Sequence, residues 1–421
     1  MVSRTRNTLS LYAALGCLGY LLAGLGAILP QVRSERGLTR VEVGLYPSAF
    51  ALGLIIVGVA GHHLTRLLGR HAVPAALTFL AAGAVTLAVG SDRVVTGAGA
   101  LVLGIGGAGL VQLVPAALRT EHGDPITTPI SEANAVASGA SVLAPLVVGA
   151  ALSGGLGWRP GYLVLPLIAV AALLITLARP RPIDQRAPAG PADPTGRGDR
   201  TGHAAAVVGP GAPLGAAEHT RRWSAEFAGW WLDLVLVVAV EFCVLFWAAD
   251  FLHSESGVGA DAAVTAAAAF VLGMAIGRAA IGPVTRLVAA PVPLLTGSAG
   301  LATAGFALFW AGGAPVASIA GLAVTGLGVA LLYPVALAQT LAAWPSDPSR
   351  AAARCALASG VAIGAAPVLL GTLADAADLR VAVLLTPSLL LVFLIRCAAR
   401  LTRGAAAGVR SRPRTAQDDT A

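Results

Sequence analysis

The chain has 421 residues, of which 56% are hydrophobic and 12% charged, and its mean hydropathy is +0.79. A soluble globular protein carries about a quarter charged residues, so this composition excludes a soluble enzyme or binding module and points to a chain solvated mainly by lipid. The net charge of +7 comes from 28 basic residues, all of them arginine, against 21 acidic ones. These arginines stand between hydrophobic blocks instead of forming one patch, which argues against nucleic acid as a partner.

A bilayer core of about 30 Å takes about 20 helical residues. Arg4 and Arg6 precede the first such block, Leu9 to Pro30, which is too long for the core of a signal peptide and reads as a retained first helix. Further blocks run over Val43 to Gly61, Ala72 to Gly90, Val94 to Leu118, Ala133 to Gly155 and Gly161 to Ala178. Residues 179–222 turn abruptly to Pro, Gly, Asp and Arg, the composition of a linker. Six more blocks follow: Gly229 to Asp250, Ala260 to Gly282, Val288 to Ala311, Pro315 to Ala338, Arg354 to Leu373 and Val381 to Ala399. The stretch from Leu287 to Ser346 carries no charge and must turn at Gly312-Gly313-Ala314-Pro315. Residues 401–421 are again polar and are expected to be a disordered tail. Continuous apolarity favours helices over barrel strands, which alternate.

The expectation is therefore an all-α membrane protein of twelve transmembrane helices, with a six-helix bundle over residues 1–178, a linker over 179–222 and a second bundle over 223–400. Arginines concentrate in the termini, the linker and the loops that share their side, so both termini and the linker are expected in the cytoplasm of a plasma-membrane protein. Cys17, Cys243, Cys355 and Cys397 lie in or at the ends of apolar blocks without metal-ligand spacing, so neither a disulfide nor a metal site is expected.

The second half repeats the first. Ser34-Glu35-x-Gly37 returns as Ser254-Glu255-x-Gly257, Phe50-x-Leu52-Gly53 as Phe270-x-Leu272-Gly273, and Thr65-Arg66-Leu67 as Thr285-Arg286-Leu287, all displaced by 220 residues. Gly107-x-Gly109 and Pro115 match Gly326-x-Gly328 and Pro334 at 219, while Pro145 and Gly149 match Pro367 and Gly371 at 222. Ordered matches at a nearly constant offset imply two bundles related by an axis along the membrane normal.

With this architecture, the segment after the second span, Gly61-His62-His63-Leu64-Thr65-Arg66-Leu67-Leu68-Gly69-Arg70, resembles the loop motif of the major facilitator superfamily. Gly61, Arg66, Gly69 and Arg70 match. Thr65 stands where the family has an acid, and one extra residue precedes Gly69. Gly157-Trp158-Arg159 after the fifth span resembles the family as well. The resemblance implies secondary transport by alternating access, with spans one, four, seven and ten lining a central path.

Polar residues within spans are costly in lipid and are functional candidates by default. Glu241 is central in the seventh span and its repeat partner, Leu21, is apolar, so it is expected to carry substrate or protons. Gln112, Tyr333 and Tyr20 fall on the spans that the resemblance assigns to the path. Asp233 and Arg278 are expected to pair as a structural ion pair near the cytoplasmic ends of spans seven and eight. Asp250 and Trp247 read as rim anchors. No Ser/His/Asp pattern, metal cluster or phosphate loop suggests an enzyme or a cofactor. The expected function is a monomeric, proton-coupled transporter of a small organic solute, with export of an amphipathic compound favoured by the few polar groups on the path. Proton-coupled uptake of a sugar or organic acid is the alternative, and a non-transporting sensor or scaffold is the rival from another class.

Overall fold

The computed structural model describes residues 5–122, 127–178, 224–288 and 290–410. In chain order the helices are α1 (Arg6–Arg36), α2 (Arg40–Leu68), a 3-10 turn (Gly69–His71), α3 (Ala72–Val89), α4 (Arg93–His122), α5 (Thr127–Ser153), α6 (Trp158–Ala178), α7 (Ala225–Glu255), α8 (Ala260–Ala279), α9 (Ile281–Leu287), α10 (Pro291–Ala311), α11 (Pro315–Val329), α12 (Leu332–Ala342), α13 (Pro348–Ala376), α14 (Leu379–Ala382) and α15 (Leu385–Arg410). Twelve stretches are long and apolar enough to cross a membrane, with α11 and α12 forming the tenth and α14 and α15 the twelfth. The linker lies outside the described residues, as does the tail beyond Arg410. The helix itself runs past residue 400, into the segment expected to be tail.

The same local chemistry opens both halves. Thr5 caps α1 by accepting from the Thr8 amide and Ser224 caps α7 by accepting from the Phe227 amide, which satisfies one of the unpaired donors at each helix start. Both helices run for 31 residues. The loops after them turn at Gly37 and Gly257, with φ of 62° and 68°, a left-handed conformation that glycine adopts without the clash of a Cβ. The two copies of the Ser-Glu-x-Gly motif are thus the same turn.

Helix packing rests on glycine at crossings where backbones touch. A Cβ on Gly104 of α4 would lie 2.1 Å from the Phe50 carbonyl of α2, and one on Gly326 of α11 would lie 2.0 Å from the Phe270 carbonyl of α8. Gly83, Gly99 and Gly106 meet α3–α4 backbone as Gly305, Gly321 and Gly328 meet α10–α11 backbone. Each of these pairs is displaced by 222. The sequence match of Gly107 and Gly109 at 219 is therefore off by three residues, nearly one helical turn, because a Gly-Ala-rich helix offers a similar small face one turn along.

Across the halves, α2 packs on α13, α5 on α8 and α1 on α7. A twofold operation that exchanges the halves turns the first of these pairs into the second, as a parallel duplication requires. The most deeply buried spans are α1 and α7, while large apolar residues such as Ile168, Leu391 and Ile395 point outward, where lipid replaces water as their solvent. The described ion pairs and hydrogen bonds between the halves lie away from the face that carries both termini. On that far face Asp250 of α7 accepts from Arg33 of α1 at 2.7 Å and from Arg40 of α2 at 3.4 Å.

Candidate functional site

Two helix breaks bring polar groups to the middle of α7. The eighth span ends as α8 at Ala279, and the short α9 follows from Ile281, where Pro283 has no amide to continue the hydrogen-bond ladder. The tenth span breaks between α11 and α12 at Ala330-Leu331, and Pro334 removes a donor there in the same way. Arg278 lies just before the first break and Tyr333 just after the second.

Glu241 occupies the centre of α7 and accepts a hydrogen bond from Arg278 Nη2 through Oε1 at 3.1 Å. The Glu241 side chain is 13% exposed and that of Arg278 is 38% exposed. The Tyr333 hydroxyl faces Ser359 of α13 and lies within the electrostatic reach of both partners. The cluster thus holds a cation, a carboxylate and two hydroxyls, assembled from α7, α8, α12 and α13.

The expected pairing of Asp233 with Arg278 does not form. Asp233, fully buried, instead contacts Arg396 and Arg400 of α15. Arg396 also donates to the Gly229 carbonyl, and the Arg400 guanidinium stacks 3.6 Å above the Trp230 ring. Counted from the far-face loop, Arg278 is level with about Val237, midway between the two acids, so depth alone does not choose between them. Arg396 and Arg400 of α15 occupy Asp233 and leave Glu241 to Arg278.

Tyr20 is also displaced from its expected place. Its hydroxyl donates to the Gly161 carbonyl of α6, and Tyr162 donates back to the Leu21 carbonyl at 3.3 Å. The pair fastens α1 to α6, so the Tyr20 hydroxyl is engaged there and not in the Glu241 cluster. Gln112 is exposed on α4 and its amide approaches the Val57 carbonyl of α2 at 3.5 Å, so it is not part of the Glu241 cluster. The loop-motif segment departs from a loop, since α2 continues through Leu68 before the 3-10 turn at Gly69. Leucine and arginine are good helix formers. The side chains of Gly61, Thr65, Arg66 and Arg70 lie outside the described residues.

Sequence reading missed the lock on the far face. Asp250, read as a rim anchor, is 4% exposed and shared by Arg33 and Arg40. Asp375 of α13 accepts from the backbone amides of Arg40 and Val41 at 3.1 and 2.8 Å, so a carboxylate from one half caps the first turn of a helix in the other. The signal available was the isolated acid at the far end of each helix, facing arginines near the start of the other half.

By sequence, the family model described as Major Facilitator Superfamily matches residues 11–319. The chain belongs to this superfamily. Compared with curated proteins, this facilitator shows no significant match. Among solved structures, it is similar to the nucleoside transporter NupG (D323A mutant), with 15% identity, a TM-score of 0.69 and coverage of 93% of this chain and 99% of that one. It is also similar to a bacterial homologue of the human lysosomal transporter Spinster, in an inward-facing and occupied conformation, with 13% identity, a TM-score of 0.65 and coverage of 95% and 97%. At such identities the likeness is one of fold.

Proposed function

We propose that this facilitator is a proton-coupled secondary transporter of a small organic solute, with Glu241 as the proton carrier and the cluster around it as the solute site. The observation that carries the reading is the Glu241–Arg278 pair: a carboxylate in the middle of the seventh span and a guanidinium at the inner end of the eighth, held by one hydrogen bond and partly open. A purely structural pair is better represented by Asp233, which is sealed between two arginines. The arginine-rich termini and linker support the reading that their side is cytoplasmic, and on that reading closure at Asp250 and Asp375 is a state shut toward the outside.

The expectation of export rested on a path poor in polar groups. Arg278 supplies that path with a fixed cation, which favours an organic acid as the solute. Right-side-out and everted membrane vesicles, tested with a panel of solutes under an imposed pH gradient, give the direction. Glu241→Gln is expected to abolish gradient-driven accumulation while retaining solute binding. Full accumulation by this variant removes Glu241 from the coupling step, and absence of flux for every solute removes the transporter reading.

A further inference from the structure

We propose that the solute is an amphipathic organic monoanion whose carboxylate replaces Glu241 on Arg278, with Glu241 taking up one proton as it leaves. The inference rests on the transporter reading and adds the class of its cargo.

Arg278 is half-used. A guanidinium presents a planar fork that grips a carboxylate through two parallel bonds of about 2.7–2.9 Å. Here one nitrogen reaches one Glu241 oxygen at 3.1 Å, and the side chain remains 38% exposed. Arg278 makes no other hydrogen bond among the described residues. An incoming carboxylate therefore finds the remainder of the fork available and can form a better contact than the resident acid.

Charge balance sets the proton count. Separating Glu241 from Arg278 without protonation leaves a carboxylate in a poorly solvated site, which is costly. With the proton on the Glu241 carboxyl, the resting neutral pair becomes an equally neutral set: guanidinium, bound monoanion and carboxylic acid. A dianion would leave one negative charge uncompensated, and a neutral solute would have no means of releasing Arg278. The charged and titratable groups described at the cluster are Arg278 from α8, paired with Glu241, and Tyr333 from α12, which has Glu241, Arg278 and Cys355 of α13 around it. Residues of α11 add none, α1 directs Tyr20 to Gly161 and Arg33 to Asp250, and the Asp233–Arg396–Arg400 group lies about two turns nearer the termini.

The body of the solute must be largely apolar. Between Leu234 and Ala249, α7 offers only apolar side chains besides Glu241, Cys243 and Trp247, and α11 contributes Ser318 and Thr325, whose side chains are buried. A sugar's hydroxyls would find few partners, whereas a carboxylate on a small hydrocarbon matches both parts.

The test is thermal stabilisation of the purified full chain by acetate, butyrate, hexanoate and benzoate, each against its amide, between about pH 5.5 and 8, where these acids stay ionised. One or more carboxylates is expected to raise Tm while the amides do not. Binding that takes up one proton gains about tenfold in apparent affinity for each pH unit lowered, over the range in which Glu241 is ionised in the free protein. In Glu241→Gln the same carboxylate is expected to bind with no such slope, and in Arg278→Gln or Arg278→Lys with at least tenfold weaker affinity. Stabilisation by amides as strong as by acids, a flat pH profile in the wild type, or no effect of any carboxylate overturns the inference. Vesicle accumulation of neutral solutes alone would overturn it while leaving the transporter reading intact.

Discussion

The two acids of α7 show how burial and partner number separate structure from function. Asp233 is fully buried and held by two arginines, so removing its charge strands both guanidiniums in a poorly solvated place. Breaking a buried pair from one side costs about 3 kcal/mol or more. Asp233→Asn is therefore expected to lower the Tm of the purified protein clearly, and Arg278→Gln much less, because Arg278 is partly exposed and its partner has one bond to lose. Equal losses in a thermal-denaturation series would contradict this assignment. Sequence reading singled out both acids and Arg278 correctly as costly residues within spans, yet it joined the wrong two. By depth Arg278 lies midway between the two acids, and the choice is made by Arg396 and Arg400 of α15, which reach Asp233 from a helix more than 160 residues away in sequence. Tyr20 was misplaced for a related reason: span number says that α1 can line a path, but the direction of one hydroxyl is set by the approach of α6, which no local pattern encodes.

At the scale of elements, the repeat was legible in its turns and less so in its crossings. Gly37 and Gly257 keep the register of 220 because a left-handed turn tolerates little else. In the crossings, glycine and alanine alternate so densely that a match one turn out of step scores nearly as well. The two registers predict different mutants. Under a displacement of 222, Gly104→Ala and Gly326→Ala each drive a methyl against a carbonyl of the facing helix, and both are expected to cost stability by at least about 1–3 kcal/mol, as overpacking does. At Gly107 the nearest atom is the Leu18 side-chain tip, which can rotate away, so alanine there is expected to be milder, whereas at Gly109 it is the Ala76 methyl, which is fixed to its backbone, and alanine there is expected to fall between the two. Thermal denaturation of the four variants decides it, and matched losses at Gly107 and Gly326 would restore the displacement of 219. The discontinuities near Arg278 and Tyr333 were marked by Pro283 and Pro334, although a proline alone does not tell a kink from a full break.

For the whole molecule, the lock on the far face makes the closed arrangement an equilibrium that single residues can bias. Asp250 bridges α7 to α1 and α2, and Asp375 caps α2 from α13, so both acids join the halves only when that face is shut. Rocking the bundles apart must break these contacts. A residue that stabilises one of two states shifts their ratio by its differential free energy, about tenfold for each 1.4 kcal/mol. Val43 of α2 lies beneath the lock and is buried, beside Phe246 and Asp250. In a background with the four native cysteines replaced, a cysteine at Val43 is expected to react slowly with an impermeant thiol reagent added to intact cells. Asp250→Asn leaves Arg33 and Arg40 without their shared carboxylate and should raise that rate by about tenfold, and Asp375→Asn should raise it in the same direction by a smaller factor, since only two backbone amides lose a partner. Glu241→Gln, which leaves the lock intact, changes the rate only through the coupling between the proton site and the gate. If Asp250→Asn leaves the labelling rate unchanged, the lock does not hold the closed state. If Val43 is labelled only from everted vesicles, the far face is the cytoplasmic one and the arginine-based orientation is reversed.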